Sequence, residues 1–219
     1  MSDPATLAAT ILPPLLRGAI VTVEVAAGAF LIAVVIGMLL ALIKTFGRSL
    51  PLRACVDLYV ETFRNVPALT HLFILYFGLA SIGVKLTSLS AAILGLGLIG
   101  AATLADVFRA GFQSLHAGQR EAALAIGMTP GTVLRFILMP QALRTTLPPL
   151  ANYGAQLVKD TSIVAAIAAP EIMFFARSLV TSTFETTLIY LSAALLYLAL
   201  SLPLSFAAGR LEKRLGGGR

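Results

Sequence analysis

Tryptophan is absent from the 219 residues, cysteine occurs once and histidine twice. The lone Cys55 excludes an internal disulfide and any CxxC metal site. His71 and His116 have no metal-ligating partner near them in sequence, so no metal centre is expected. Lysine is also scarce. Lys44, Lys85, Lys159 and Lys213 are the full complement, and none stands in a GxxxxGKS/T phosphate cradle. The chain is therefore not expected to hydrolyse ATP itself, and no cofactor is implied. Charged residues make up 12%, about half of the ~25% usual in soluble domains.

Apolar sequence fills that gap. Hydrophobic residues are 58% and the mean hydropathy is +0.92, which excludes a disordered chain and argues against an ordinary soluble domain. Val25–Ile43, Val66–Val84, Leu86–Ala105 and Thr186–Gly209 contain no charged residue, and each approaches or exceeds the ~20 residues that cross a bilayer core of ~30 Å. A fifth run, Thr145–Pro170, is interrupted only by Lys159 and Asp160, a tolerable charge pair if it faces protein or water. The first span is expected to begin near Gly18 and to include Glu24. The fold class predicted is an all-α integral membrane protein with five transmembrane helices in a single domain, residues 1–219. The runs are too long and too continuously apolar for barrel strands.

The net charge of +6 could suggest a nucleic-acid partner, but its placement points to a membrane. Twelve of the 16 basic residues fall on one side of the predicted spans: Lys44, Arg48, Arg53 and Arg64; Arg109, Arg120, Arg135 and Arg144; and Arg210, Lys213, Arg214 and Arg219. Arg17, Lys85 and Arg177 fall on the other side, and Lys159 lies within a span. Basic residues accumulate on the cytoplasmic face, so the N-terminus is expected outside and the C-terminus in the cytoplasm. Residues 1–16 carry Asp3 and no basic n-region, unlike a cleaved signal peptide. Five helices make a thin wall for a gated pathway, so a second copy or a related chain is expected to complete it.

The loop between the third and fourth runs, Val107–Arg144, is ordered in character. Gly118–Ile126 reads as a short helix with Glu121 in its first turn. Gly127 fits a left-handed C-terminal cap. Thr129 and Pro130 read as the N-cap and first residue of the next helix, which is expected to stop before Pro140. The small Ala122 and Ala123 leave a face that a partner could approach closely; a purely structural packing role is the competing reading.

Glu121-Ala122-Ala123, Gly127, Ile137 and Met139-Pro140 stand at the spacing of the EAA motif, and the loop resembles that of ABC importer permeases. Met139 replaces the usual Leu, a volume-conserving change. The resemblance extends along the chain to the polar-amino-acid (histidine/glutamine/arginine-type) permeases, through Tyr59–Arg64 with Pro67, Tyr76–Leu79, Phe108–Ser114, Pro140–Arg144, Pro148–Asn152 and Lys159–Ser162. Ile99 and Thr103 stand where that group often carries an Asn and an aromatic. The resemblance implies a type I importer permease of the bacterial cytoplasmic (inner) membrane, importing polar amino acids or close analogues. It further implies a second permease subunit, two cytoplasmic ATPase subunits docked on an EAA coupling loop at about residues 112–140, and an extracytoplasmic solute-binding protein. Glu121, Ala122, Ala123, Gly127 and Pro140 are then the coupling residues.

For the substrate pathway the candidates are Glu61, Lys159, Asp160, Thr161 and Ser162. Lys159 and Asp160 either pair with each other, or with Glu24 or Glu61, or line a hydrated cavity for a zwitterion with Thr161 and Ser162 beside them. Glu61 and Arg64, and likewise Asp106 and Arg109, have the (i, i+3) spacing of a same-face pair. His71 is expected to be a hydrogen-bonded packing residue. The small residues Gly95, Gly97, Gly100, Ala101 and Ala102 are expected to allow close helix contact, and Gly216–Gly218 to form a flexible end. A self-contained secondary transporter or channel is the alternative function, but the internal repeats and matched broken helices expected of one are absent. A membrane enzyme would need a convergent acid, base or nucleophile set that only the Lys159–Asp160 region could begin.

Overall fold

The computed structural model describes residues 4–216; Asp3, Gly217, Gly218 and Arg219, on which parts of the terminal expectations fall, lie outside them. Among the described residues the fold is entirely helical: α1 (Pro4–Phe46), α2 (Leu50–Asn65), α3 (Ala68–Phe73), α4 (Leu79–Ser81), α5 (Ser88–Gln113), α6 (Ala117–Ala125), α7 (Pro130–Val133), α8 (Met139–Asp160), α9 (Ile172–Thr183) and α10 (Thr186–Gly216). A π-helical turn joins α3 to α4 over Ile74–Gly78, and another joins α7 to α8 over Leu134–Leu138. The chain from Pro130 therefore runs helically to Ile167.

Helices α1 and α5 form the most extensive pair. Small residues let their backbones meet. A Cβ on Gly97 would stand 2.8 Å from Ile32, and one on Gly37 would stand 3.0 Å from the Ala101 carbonyl oxygen. Ala91, Ala92, Ala101 and Ala102 are fully buried. This is the close contact expected of the small-residue run. Without a hydrophobic drive between helices in lipid, such approach supplies the packing that holds them. Around it, Val25, Leu72, Leu96, Leu157, Val164 and Ile167 join α1, α3, α5 and the end of the α8 segment into one buried cluster.

The spans differ from the sequence expectation at several points. Helix α1 begins at Pro4 rather than near Gly18 and is 43 residues long, about 65 Å at 1.5 Å per residue. Thr10–Phe46, Ser88–Gln113 and Thr186–Leu215 are long and apolar enough to cross a membrane. Pro130–Ile167 and Ile172–Thr183, bent by 51° at the break between them, pass the same test together and make a fourth if they are one crossing. The Val66–Val84 run yields only the helical stretch Ala68–Ser81, ~21 Å at the same rise. Pro67 is the N-cap of α3 and keeps α2 separate, and a left-handed turn at Gly83 (φ +92°) ends the stretch. The geometry thus supports three crossings, or four with the bent pair, and leaves the count of five unconfirmed.

Candidate functional site

Two places concentrate the sequence-predicted residues. The first is the turn between α6 and α7. Helix α6 starts at Ala117 behind His116, so Glu121 sits in its second turn and not its first. Ala123 is buried against Val133 and Leu138, while Glu121 and Ala122 face outward. Gly127 has φ +86°, and the bonds around it form a Schellman cap. Met128 N–H donates to the Ala123 carbonyl at 3.1 Å and Gly127 N–H to that of Leu124 at 3.0 Å. Nothing crowds a Cβ at Gly127; the backbone angle alone demands glycine. Thr129 then caps the next helix, its Oγ1 accepting from Thr132 N–H at 3.3 Å, with Pro130 in the first helical position.

That helix does not stop before Pro140, contrary to expectation. The π-helical turn widens the backbone just ahead of it: Met139 N–H bonds the Leu134 carbonyl, five residues back. The Gln141 side-chain amide takes the Ile137 carbonyl at 2.9 Å. The widening accommodates a residue that lacks an N–H and whose ring crowds the preceding turn. Phe46 at the end of α1 packs edge-on to Phe112 at 5.3 Å and braces the loop against the bundle. In the same loop Ile126 is 80% exposed and Phe136 65% exposed, and Glu121 and Ala122 are exposed as well.

The second place is the break after α8. Lys159 and Asp160 are the last two residues of α8, and a 3₁₀ turn over Thr161–Ile167 follows. Asp160 accepts a hydrogen bond from Gln156 Nε2 at 2.8 Å. Among the described residues no ion pair joins Lys159 to Asp160, Glu24 or Glu61. Thr161 is buried and donates to the Val158 carbonyl at 2.7 Å. Lys159 and Ser162 line two cavities. One, of about 340 Å³, is shared with Asp160, Tyr153, Ala68, Leu96 and Ile99. The other, of about 480 Å³, is shared with Tyr190, Tyr197 and Ser201 of α10. Glu61 lines neither cavity; it accepts from Asn65 Nδ2 at 2.9 Å on the exposed face of α2.

The expected Glu61–Arg64 pair is replaced by a longer-range one. Arg64 Nη1 meets Asp106 Oδ2 at 2.5 Å, and Arg109 joins the same carboxylate at 3.4 Å. The Asp106–Arg109 pair was legible from its spacing; Arg64, 42 residues away, was not. Lys44 pairs with Asp57 at 2.7 Å across the α1–α2 turn, and its hydrogen bond holds the Asp57 carboxyl below the usual carboxylate range. His71 is buried and stacks on Phe63 at 4.4 Å, a packing role as expected, but its Nε2 lacks the expected hydrogen bond.

Sequence reasoning missed Glu171. Its side chain is fully buried at the break, where it caps α9 by accepting from Phe174 N–H at 2.8 Å. It also accepts from the Tyr197 hydroxyl. Beside it, Ile172 N–H reaches Thr22 Oγ1 of α1 at 3.5 Å, and a Cβ on Gly18 would strike the same backbone at 2.7 Å. One carboxylate thus ties the start of α9 to α10, while α1 closes on the adjoining peptide. The available signal was a lone carboxylate after Pro170 and ahead of the apolar Ile172–Phe175 run.

The family model described as binding-protein-dependent transport system inner membrane component matches residues 33–217. The chain belongs to that family. Among its relatives, this permease is 39% identical over 165 residues to the probable glutamine ABC transporter permease protein GlnM of Bacillus subtilis, covering 75% of this chain and 76% of that one. It is 30% identical over 206 residues to the glutamine transport system permease protein GlnP of Escherichia coli, covering 93% and 94%. A crystal structure of an amino acid ABC transporter with histidines superposes with a TM-score of 0.88 at 28% identity, covering 98% of the permease and all of that chain. The methionine transporter MetNI, at 22% identity and TM-score 0.77, shares the fold. These relatives are transporter permease subunits, not enzymes.

Proposed function

We propose that this permease is one of two membrane subunits, identical or paralogous, that enclose an import pathway for amino acids of the polar class or close analogues. The pair sits in the bacterial cytoplasmic membrane with N-termini outside and C-termini in the cytoplasm. Five crossings result if the α3–α4 stretch also spans. Two separate ATPase subunits receive α6 and its Schellman turn, and an extracytoplasmic solute-binding protein delivers substrate. Closure of the ATPases moves α6, and the continuous helix from Pro130 carries that motion to the break at residues 159–171. There Lys159, Asp160 and Ser162 receive the substrate's carboxylate and ammonium, with Thr161 fixing the turn. Glu61 belongs to the α2 face rather than to this cavity.

The observation that carries this reading is the capped turn at Glu121–Pro130 feeding directly into the helical run that carries Lys159 and Asp160. The experiment is co-purification with the ATPase alongside uptake for Glu121→Lys and Gly127→Pro. Both variants should insert normally, lose most of the associated ATPase and transport poorly. Normal uptake with normal ATPase recovery for both would defeat the assignment.

A further inference from the structure

The cavity of about 340 Å³ has two chemically distinct walls. All its polar side chains, Tyr153, Lys159, Asp160 and Ser162, come from α8 and the 3₁₀ turn. The wall contributed by α3 and α5 is Ala68, Leu96 and Ile99, with no polar side chain. The next polar residues along those helices, Thr70, His71 and Thr103, do not line it. His71, one turn beyond Ala68, is buried in a stack with Phe63. Thr103, one turn beyond Ile99, turns its hydroxyl to its own helix at the Ile99 carbonyl. The cavity therefore holds one cation and one anion, and no third charge.

Accepting the reading above, on which this inference rests, a bound amino acid engages Lys159 with its carboxylate and Asp160 with its ammonium. Both charges of the cavity are then matched, and the side chain is left to the Ala68–Leu96–Ile99 wall. We infer that this permease selects amino acids with uncharged side chains and discriminates against cationic and anionic ones. A guanidinium, ammonium or second carboxylate placed against that wall has no counter-charge, and an uncompensated charge out of water is strongly disfavoured. An amide or aliphatic side chain of similar volume meets no such penalty. Ile99, one of the two α5 residues on that wall, is the specificity-determining position.

The test uses the assembled permease–ATPase complex without its binding protein. Binding of radiolabelled glutamine is competed with unlabelled leucine, arginine and glutamate. Glutamine and leucine should bind at least about tenfold more tightly than arginine and glutamate. Ile99→Asp supplies the missing anion and should raise arginine relative to glutamine by about tenfold; Ala68→Asp, on the same wall, serves if the first variant does not assemble. Arginine or glutamate binding as tightly as glutamine, in a complex whose binding is abolished by Lys159→Met, would overturn the selectivity while leaving the substrate site standing. An assembled complex that binds none of the four would overturn both.

Discussion

Lys159 and Asp160 are sequence neighbours that do not pair, and helical geometry accounts for it. Adjacent residues on a helix diverge by ~100°, so each side chain finds different surroundings. Asp160 has Gln156 one turn back, while Lys159 lines two cavities. A central intramembrane charge costs roughly 2.5–3.5 kcal/mol on insertion scales; on the proposed reading a hydrated, substrate-binding cavity offsets that where a partner residue does not. Replacing both, as Lys159→Met with Asp160→Leu, should leave a complex that assembles with its ATPase but does not import. Uptake measured beside quantified assembly checks this; recovery of transport in the double variant would restore mutual pairing as their role. The presence of charge at this depth was legible in the sequence. What the charges touch was not, because the cavity walls come from Ala68, Leu96, Ile99 and α10, distant along the chain.

At the scale of elements, the chain was legible where local chemistry decides. Gly127 had to supply a left-handed cap, and Thr129 with Pro130 had to start a helix. Both needs arise within a few residues and the structure shows both. It was illegible where a neighbour overrides the local signal. Pro140 reads as a stop, yet a π-helical turn and the Gln141 amide absorb it. A charge count across Val66–Val84 cannot register that Pro67 and Gly83 trim the helix to Ala68–Ser81. The 51° break at the end of the α8 segment is held by Glu171, and it yields a sharp expectation. Glu171→Leu orphans the Phe174 N–H and the Tyr197 hydroxyl, each costing about 1–3 kcal/mol. Glu171→Gln keeps an oxygen to accept from Phe174 N–H, and its amide N–H can donate to the Tyr197 hydroxyl, which rotates to accept. Thermal denaturation of the purified complex should therefore rank wild type and Gln close together, with Leu clearly below. Equal stability of the Leu and Gln variants would mean the carboxylate does not hold the break.

For the whole molecule, orientation and partnership are the claims that matter. Cys55 is exposed on α2, and the proposed orientation, with the basic flanks of α2 inside, puts it in the cytoplasm. An impermeant thiol reagent should label it in inside-out vesicles and not from outside intact cells; labelling from outside would invert the topology. The proposed division of labour assigns ATP hydrolysis to a separate subunit, docked where this chain exposes Glu121, Ala122 and Ile126 around the capped turn. The most direct measurement is uptake of a radiolabelled amino acid into proteoliposomes holding the permease, with its ATPase and binding protein added or withheld. Accumulation should require all three components and ATP, and should vanish when the ATPase is omitted. Concentrative, ATP-independent uptake by the permease alone would contradict the account.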